Sequence, residues 1–233
     1  MRVRIKFSKH GVVKFIGHLD FMRYFQKAIR RSGIDVTYSS GFSPHQIMSF
    51  ASPLGVGHCS NGDYFDIEVN SHNGRQDMID RLNQSMVPGV KVENIVALGE
   101  KAGNAMASVA AAGYTLEWKD GYEVPSDLEE AVSKFFGQES IMVTKQTKKS
   151  TLELDLKPGI YEIEATADSI YMLVDASSSG NIKPTLLLEA FYSFIGKEFD
   201  PLAIQITREE TYTDIGKNGK RELVPLDAVG EDF

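Results

Sequence analysis

The order of apolar and polar residues predicts first a strand and then a helix. Val3 to Phe7 alternates between apolar and basic residues, with the period of two that is typical of a half-buried strand. From Leu19 to Ser32 apolar residues recur at spacings of three and four, which predicts an amphipathic helix that ends at Gly33. Its apolar face consists of Met22, Phe25 and Ile29, and its basic face of Arg23, Lys27 and Arg30.

The residues that follow complete one compact topology. A region of two short strands is predicted first, then an alternating strand, a helix and a closing strand. These elements are Val36–Tyr38, Ile47–Ala51, Tyr64–Val69, Asp77–Met86 and Val90–Ala97. Together with the first strand and helix, they have the order of a ferredoxin-like βαββαβ unit.

A second unit of the same kind is predicted after an Ala- and Gly-rich linker. Its strands are Tyr114–Lys119, Ile141–Thr144, Thr151–Leu156, Ile160–Ala165, Ser169–Val174 and Leu202–Thr207, and its helices are Ser126–Gly137 and Pro184–Gly196. The first of these helices is expected to begin with a capping box of Ser126 and Glu129. A hairpin is expected at Pro158-Gly159, and a hairpin surface at Lys145, Lys148 and Lys149.

The predicted fold class is therefore α+β, with two tandem ferredoxin-like (βαββαβ) halves and antiparallel sheets. The predicted domains are residues 1–98 and 113–216, with a linker at 99–112 and a polar tail at 217–233. A length of 233 residues suits one large or two small domains, and 42% hydrophobic residues argue against disorder.

Charge is divided unevenly along the chain. Residues 1–50 contain nine Lys or Arg residues and two acidic residues, a net charge of +7, whereas the whole chain has a net charge of −7. The acidic total argues against indiscriminate binding to nucleic acid. It is compatible with one local basic site on an acidic body.

A loop next to the basic helix contains residue types that suit RNA. The stretch YSSGFSPH offers hydroxyl groups for phosphate or sugar oxygens and rings that can stack on bases. With the helix, it predicts a nucleic-acid-binding surface formed by Arg23, Lys27, Arg30, Arg31, Tyr38, Ser39, Phe42 and His45. Two structural alternatives stay open at this point. The helix face can be merely solvated, and the loop hydroxyl groups can bond the loop's own backbone.

Other groups give weaker indications of chemistry. His18 and His45 are candidates for an acid/base role, although lone histidines more often have structural roles. Tyr64, Asp66 and Glu68 share one face of a strand, and their carboxylates are expected to pair with the basic helix. The sequence assigns no catalytic residue, no metal site and no cofactor to this chain.

The expected location is the cytoplasm. The first residues lack the continuous apolar core of a signal peptide, and no apolar run approaches the roughly 20 residues that span a bilayer. We therefore expect no membrane partner. Cys59 is the single cysteine, so an intrachain disulfide is excluded.

Five stretches of the first half carry a resemblance to a known family. They are HLDFMR (His18–Arg23), AIRRSG (Ala28–Gly33), YSSGFSPH (Tyr38–His45), SFASPLGVG (Ser49–Gly57) and YFDIEV (Tyr64–Val69). Through them the chain resembles the radical SAM-linked protein family, a bacterial family of unknown function. The resemblance implies an accessory role beside a radical SAM protein, in RNA modification, and supplies no catalytic residues. The chain has no CxxxCxxC motif, so it cannot hold the iron–sulfur cluster of those enzymes by itself.

Three functions follow as alternatives. The favoured one is a non-catalytic module that binds RNA, such as tRNA or rRNA, and works with a radical SAM protein. The second is a protein–protein adaptor that docks on that partner. The third and least favoured is an RNA-processing or RNA-modifying enzyme that uses His18 or His45, which requires two such groups in one cleft.

Overall fold

The computed structural model describes residues 1–146 and 151–233 and has a mixed α/β fold. Strand pairing is mostly antiparallel, and the described residues contain five α-helices. The chain divides into two compact units. Unit 1 consists of Met1–Ala110 and Arg208–Phe233, and unit 2 of Ala111–Thr207. The surface predicted at Lys148 and Lys149 lies outside the described residues.

The helices and strands follow one another in this order. The strands are β1 (Arg2–Lys9), β2 (Met48–Phe50), β3 (Cys59–Glu68), β4 (Val90–Ala97), β5 (Ala111–Trp118), β6 (Met142–Gln146), β7 (Thr151–Asp155), β8 (Ile160–Ala165), β9 (Ser169–Asp175), β10 (Ile204–Asp214) and β11 (Leu223–Pro225). The helices are α1 (His18–Ser32), α2 (Arg75–Gln84), α3 (Ala105–Ser108), α4 (Leu128–Phe136) and α5 (Pro184–Phe194). Across the described residues, none of these helices has the length and apolar content to cross a membrane.

Strand β1 is central to unit 1, and its alternation separates an apolar face from a charged face. It pairs antiparallel with both β3 and β4. Ile5 lies opposite Phe65 and is buried under α1, where the rings of Phe25 and Phe65 are 4.7 Å apart. Phe7 lies 4.8 Å from Phe25, so clustered aromatic rings fill this core. The helix predicted from the spacing of Met22, Phe25 and Ile29 is confirmed.

The charged face of β1 is buried at its centre, Arg4, and half-buried at Arg2 and Lys6. Arg4 is 0% exposed, and its guanidinium donates hydrogen bonds to both carboxylate oxygens of Asp66, at 2.8 and 3.1 Å. It also donates to the carbonyl groups of Gly103 (3.1 Å) and Leu226 (3.0 Å). The expectation that Asp66 pairs with the basic helix is therefore wrong. In the β1–β3 register Arg4 lies directly opposite Asp66, which puts both side chains on one face.

Tyr64 lies on the same strand as Asp66 and forms further polar contacts with residues near the C-terminus. Its hydroxyl oxygen lies 2.7 Å from Glu210 Oε1 and 3.0 Å from Asp227 Oδ1, so its single hydrogen is shared between these two carboxylates. Burial raises the pKa of Tyr64 far above its ordinary value, and the two carboxylates raise it further. Asn94 holds the second oxygen of Asp227 at 2.8 Å, so the C-terminal residues are fixed to the sheet.

The compact units are divided differently from the predicted domains. Residues 208–233 group with the first unit, because fully buried Leu226 and the bonds to Asp227 tie them there. The segment 99–112 contains α3, whose N-terminus is capped by the Asn104 side chain, and the start of β5.

Unit 2 contains its own antiparallel strands and core. β5 pairs with β9 and β9 with β8, while β6 and β7 form a separate hairpin. The hairpin predicted at Pro158-Gly159 is wrong, since these residues form a 3₁₀ turn before β8. The capping box is also wrong. Asp127 precedes α4 in a left-handed conformation, and its side chain makes no capping hydrogen bond.

Candidate functional site

The basic residues predicted for one face of α1 are exposed there. Arg23, Lys27 and Arg30 follow one another at spacings of four and three, opposite the face that enters the core. Arg23 pairs with Asp20 one turn earlier, with Nη1 and Oδ1 3.0 Å apart. Both side chains are more than 70% exposed, at 71% and 72%, and a pair of this kind contributes less than about 1 kcal/mol. Arg23 is therefore able to exchange Asp20 for another anion.

The loop after α1 is closed at its base and open at its tip. Tyr38 and Gln46 form an antiparallel bridge, and the Ser39 N–H donates to the His45 carbonyl at 2.8 Å. The Ser39 hydroxyl accepts from the His45 N–H at 3.1 Å and lies 2.9 Å from its Nδ1. Ser39 and His45 therefore form hydrogen bonds within the loop, which is the structural alternative that the sequence left open for the loop hydroxyl groups. Phe42 stands fully exposed at the tip.

The loop and the basic face of α1 meet at Tyr38 and Arg30. A hydrogen bond from the Gln46 side chain lowers the pKa of Tyr38, and the Arg30 guanidinium lowers it further as a second donor and as a positive charge. Gln46 Nε2 lies 3.4 Å from the Tyr38 hydroxyl and 3.2 Å from the Gln26 carbonyl of α1. Buried Gln46 therefore fastens the loop to the helix, with Arg30 beside it.

Arg31 lies on a different side of the helix. Its Nη2 donates to the Ser85 carbonyl at 2.8 Å, just beyond α2. Neighbouring residues of an α-helix point about 100° apart, so Arg30 and Arg31 cannot share one face. We define the exposed set that remains, Arg23, Lys27, Arg30, Tyr38 and Phe42, as the basic–aromatic surface.

A second group of polar residues lies in unit 1, three of them buried and one half-buried, and sequence reasoning found only the half-buried one. We call it the buried charge cluster; its residues are Lys9, His18, Asp63 and Arg208. Lys9 is 2% exposed, donates to the Ile16 carbonyl at 2.9 Å, and lies 4.5 Å from the ring centroid of Phe21. Arg208 Nη1 donates to Asp63 Oδ1 at 2.6 Å, and both side chains are almost fully buried.

A cavity of about 10 Å³ lies between these groups, lined by Lys9, His18, Asp63 and several apolar residues. A space of this volume holds about one water molecule. Burial lowers the pKa of Lys9, and the charge of Asp63 opposes that effect. Burial also lowers the pKa of His18, where Asp63 opposes the shift and Lys9 and Arg208 reinforce it. The cluster therefore favours neutral His18 beside a buried ion pair.

The two candidate acid/base histidines are not brought together. His18 is the first residue of α1, whereas the loop of His45 meets that helix in its last turn, at Arg30. About 18 Å of helix separates residues 18 and 30 at 1.5 Å per residue. Among the described residues, no group of three or more His, Cys, Asp or Glu side chains is arranged to hold a metal ion.

A comparison with protein families matches residues 2–184 to the family described as "Uncharacterized protein conserved in bacteria (DUF2344)". The chain belongs to this family. No curated protein matches the chain. The family description mentions no radical SAM partner, so that part of the resemblance stays a prediction.

One sequence signal could have located the buried charge cluster in this DUF2344 member. Val3, Ile5 and Phe7 occupy the apolar positions of β1, and Lys9 continues the same alternation. On β3, Asp63 precedes the apolar positions of Phe65 and Ile67 in the same alternation, and it lies opposite Phe7. A charged residue that continues the apolar alternation of a strand predicts a buried ionic site. Arg208 carried no such signal, because it comes from a distant part of the chain.

The position of His18 predicts a pH effect on stability. Because the pKa of His18 is lower in the folded state than in the unfolded state, the unfolded state takes up its proton first as the pH falls. The contribution of neutral His18 to the free energy of unfolding is fully present above about pH 6.5, the pKa of histidine in the unfolded state. It is lost as the pH falls through the lower pKa of His18 in the folded state. Urea unfolding at pH 7.5 and 5.5 should show a larger loss for the wild type than for His18→Gln. Equal losses would contradict this assignment.

Proposed function

We propose that the chain is an accessory RNA-binding module whose contact area is the basic–aromatic surface. The observation that carries this proposal is the position of Gln46, whose Nε2 lies 3.2 Å from the Gln26 carbonyl of α1 and 3.4 Å from the Tyr38 hydroxyl and so holds the aromatic loop against the helix that carries the basic face. Cationic side chains on one helix face neutralise successive phosphates, and an exposed aromatic ring stacks on an unpaired base. Residues 1–50 have a net charge of +7; Arg4 and Lys9 of that count are buried, and Arg23, Lys27 and Arg30 are exposed.

The experiment is fluorescence anisotropy of labelled tRNA and rRNA fragments across a salt series. Replacing Lys27 and Arg30 together by glutamine should weaken binding. It should also reduce the slope of log Kobs against log [salt] by about 1.4 to 1.8, since each lost phosphate contact accounts for about 0.7 to 0.9.

Arg31 provides a matched control. Arg31→Gln removes the same charge from the neighbouring position of α1, but its guanidinium lies at Ser85, away from Tyr38. The slope should change less for Arg31→Gln than for Arg30→Gln. Absence of RNA binding by the intact protein at low salt, or equal slopes for the two single variants, would refute the proposal.

A protein–protein adaptor is a second candidate because of an exposed apolar patch at the start of α1. The patch consists of Val12, Phe15, Leu19 and Val56, which are all more than 60% exposed. Val56 belongs to the same patch, because the following Gly57 N–H bonds the Lys14 carbonyl at 2.9 Å. A radical SAM protein is the partner that the sequence resemblance implies for either role. Binding of such a partner through this patch would depend little on salt, unlike binding to RNA.

We further propose that each unit is a variant of the ferredoxin-like βαββαβ arrangement. In unit 1 the pairings β4-β1, β1-β3 and β3-β2 support this, with α1 and α2 as the connections. In unit 2 the pairings β5-β9 and β9-β8 support it, with α4 and α5 as the connections and β6-β7 as an insertion.

A further inference from the structure

We infer that the basic–aromatic surface takes a short single strand of RNA, about four nucleotides long, and not a duplex. This inference rests on the proposed function and adds the substrate class. It follows from three features of the surface: the fully exposed aromatic ring, the length of the basic row, and the acidic residue at the end of that row.

The aromatic ring favours unpaired bases. Phe42 is fully exposed at a loop tip, and Tyr38 is partly exposed at the loop base. The tip is open, since a Cβ at Gly41 would meet no atom within 4 Å. A side chain stacks on a base only where that base is splayed out of a helix, because a duplex hides the faces of its bases. A duplex could contact the arginine and lysine side chains but would leave Phe42 unused.

The basic row is short. Arg23 and Arg30 are seven residues apart on α1, which corresponds to about 10 Å along the helix. Stacked nucleotides advance about 3.4 Å per phosphate, so this distance matches about three phosphate intervals. Three intervals join four phosphates, so the surface accommodates roughly four nucleotides, one of whose bases stacks on Phe42.

Asp20 ends the row on the side away from the loop. Its carboxylate holds Arg23 at 3.0 Å, and Leu19 beside it is apolar and exposed. A phosphate that advanced beyond Arg23 would meet a negative charge there. The strand is therefore expected to run from Phe42 over Arg30 and Lys27 and to stop near Arg23.

The test is competition of unlabelled RNA oligonucleotides for a labelled single strand of eight nucleotides. Affinity should rise with oligonucleotide length up to about four nucleotides and then level off. Longer strands should gain only the small statistical factor that comes from having several positions at which they can bind. A self-complementary 12-base-pair RNA duplex should bind at least tenfold more weakly than a 12-nucleotide single strand.

Two variants make the inference specific. Phe42→Ala should weaken single-strand binding about 5- to 150-fold, the range of one stacked base, and leave duplex binding unchanged. Asp20→Asn should strengthen binding of strands longer than four nucleotides, because Arg23 is released and the repulsion removed. Tyr122→Ala, at a partly exposed aromatic of unit 2, is the control and should have no effect.

The outcomes separate this inference from the proposed function. Equal affinity for single strand and duplex, or no effect of Phe42→Ala on a protein that binds RNA, would overturn the single-strand inference alone. Failure of every RNA to bind would overturn both. Because Phe42 and Asp20 are exposed, the urea unfolding midpoints of both variants should equal that of the wild type. If Phe42→Ala has a lower midpoint, the conservative Phe42→Leu variant replaces it in the binding comparison.

Discussion

Asp63→Asn is expected to lower the free energy of unfolding by about 3 to 5 kcal/mol. Asp63 is the carboxylate of the buried charge cluster, and Arg208 donates to it at 2.6 Å with both side chains almost fully buried. The asparagine has nearly the same shape, so it leaves no cavity. The loss comes from the positive charges of Arg208 and Lys9, which remain in the core without their counter-ion.

Urea unfolding at pH 7.5 measures this loss, and Asp20→Asn is its matched control. The control makes the same substitution and also breaks an ion pair, but the pair of Asp20 with Arg23 is exposed to solvent. It should change the free energy of unfolding by less than about 1 kcal/mol. Similar values for the two variants would mean that the buried charge cluster is hydrated and contributes no more than a surface pair.

The sequence predicted the elements whose side chains alternate or repeat without interruption. β4 was predicted with its observed bounds, because Val90–Ala97 has a clear strand pattern between a Pro-Gly turn and a Gly-rich segment. β3 was predicted to begin at Tyr64 but begins at Cys59. The residues Asn61 and Gly62 are poor strand formers, and the neighbouring strands keep them in the sheet.

The basic–aromatic surface could be predicted in part, because some of its residues repeat at regular helical spacing. The spacing of Arg23, Lys27 and Arg30 defines one helix face without any tertiary information. The separation of Arg31 from that face could have been deduced from helix geometry, but its bond to Ser85 could not. The position of Tyr38 beside α1 depends on how the loop folds back over the helix, which depends on the bonds of buried Gln46 to Gln26 and Tyr38.

The buried charges could not be predicted from composition, because charged residues are usually exposed. Arg4 shows why. In the alternating pattern of β1 it occupies the position of a solvent-facing residue, yet residues 103 and 226 cover it. A polar face of a strand indicates where the core is not, but it does not indicate whether water or another segment of the chain lies on that side.

Arg4→Met should also lower the free energy of unfolding by about 3 to 5 kcal/mol, and it should loosen the C-terminal residues. The methionine fills much of the same volume but leaves Asp66 as an uncompensated buried carboxylate. It also leaves the carbonyl group of Leu226 without the donor that joins it to β1 at 3.0 Å. Hydrogen exchange over residues 223–229 should therefore accelerate more than exchange in α1.

A second substitution separates the two causes of that loss. In Arg4→Met/Asp66→Leu the uncompensated charge is gone, and both hydrogen bonds of Asp66 had already been lost with Arg4, so the double variant should be more stable than Arg4→Met alone. The carbonyl group of Leu226 still lacks its donor, so rapid exchange at residues 223–229 should persist. Simple additivity of the two single substitutions would contradict the ionic explanation. Unchanged exchange in both variants would mean that the bonds of Asp227 to Tyr64 and Asn94 are enough to hold the C-terminal segment.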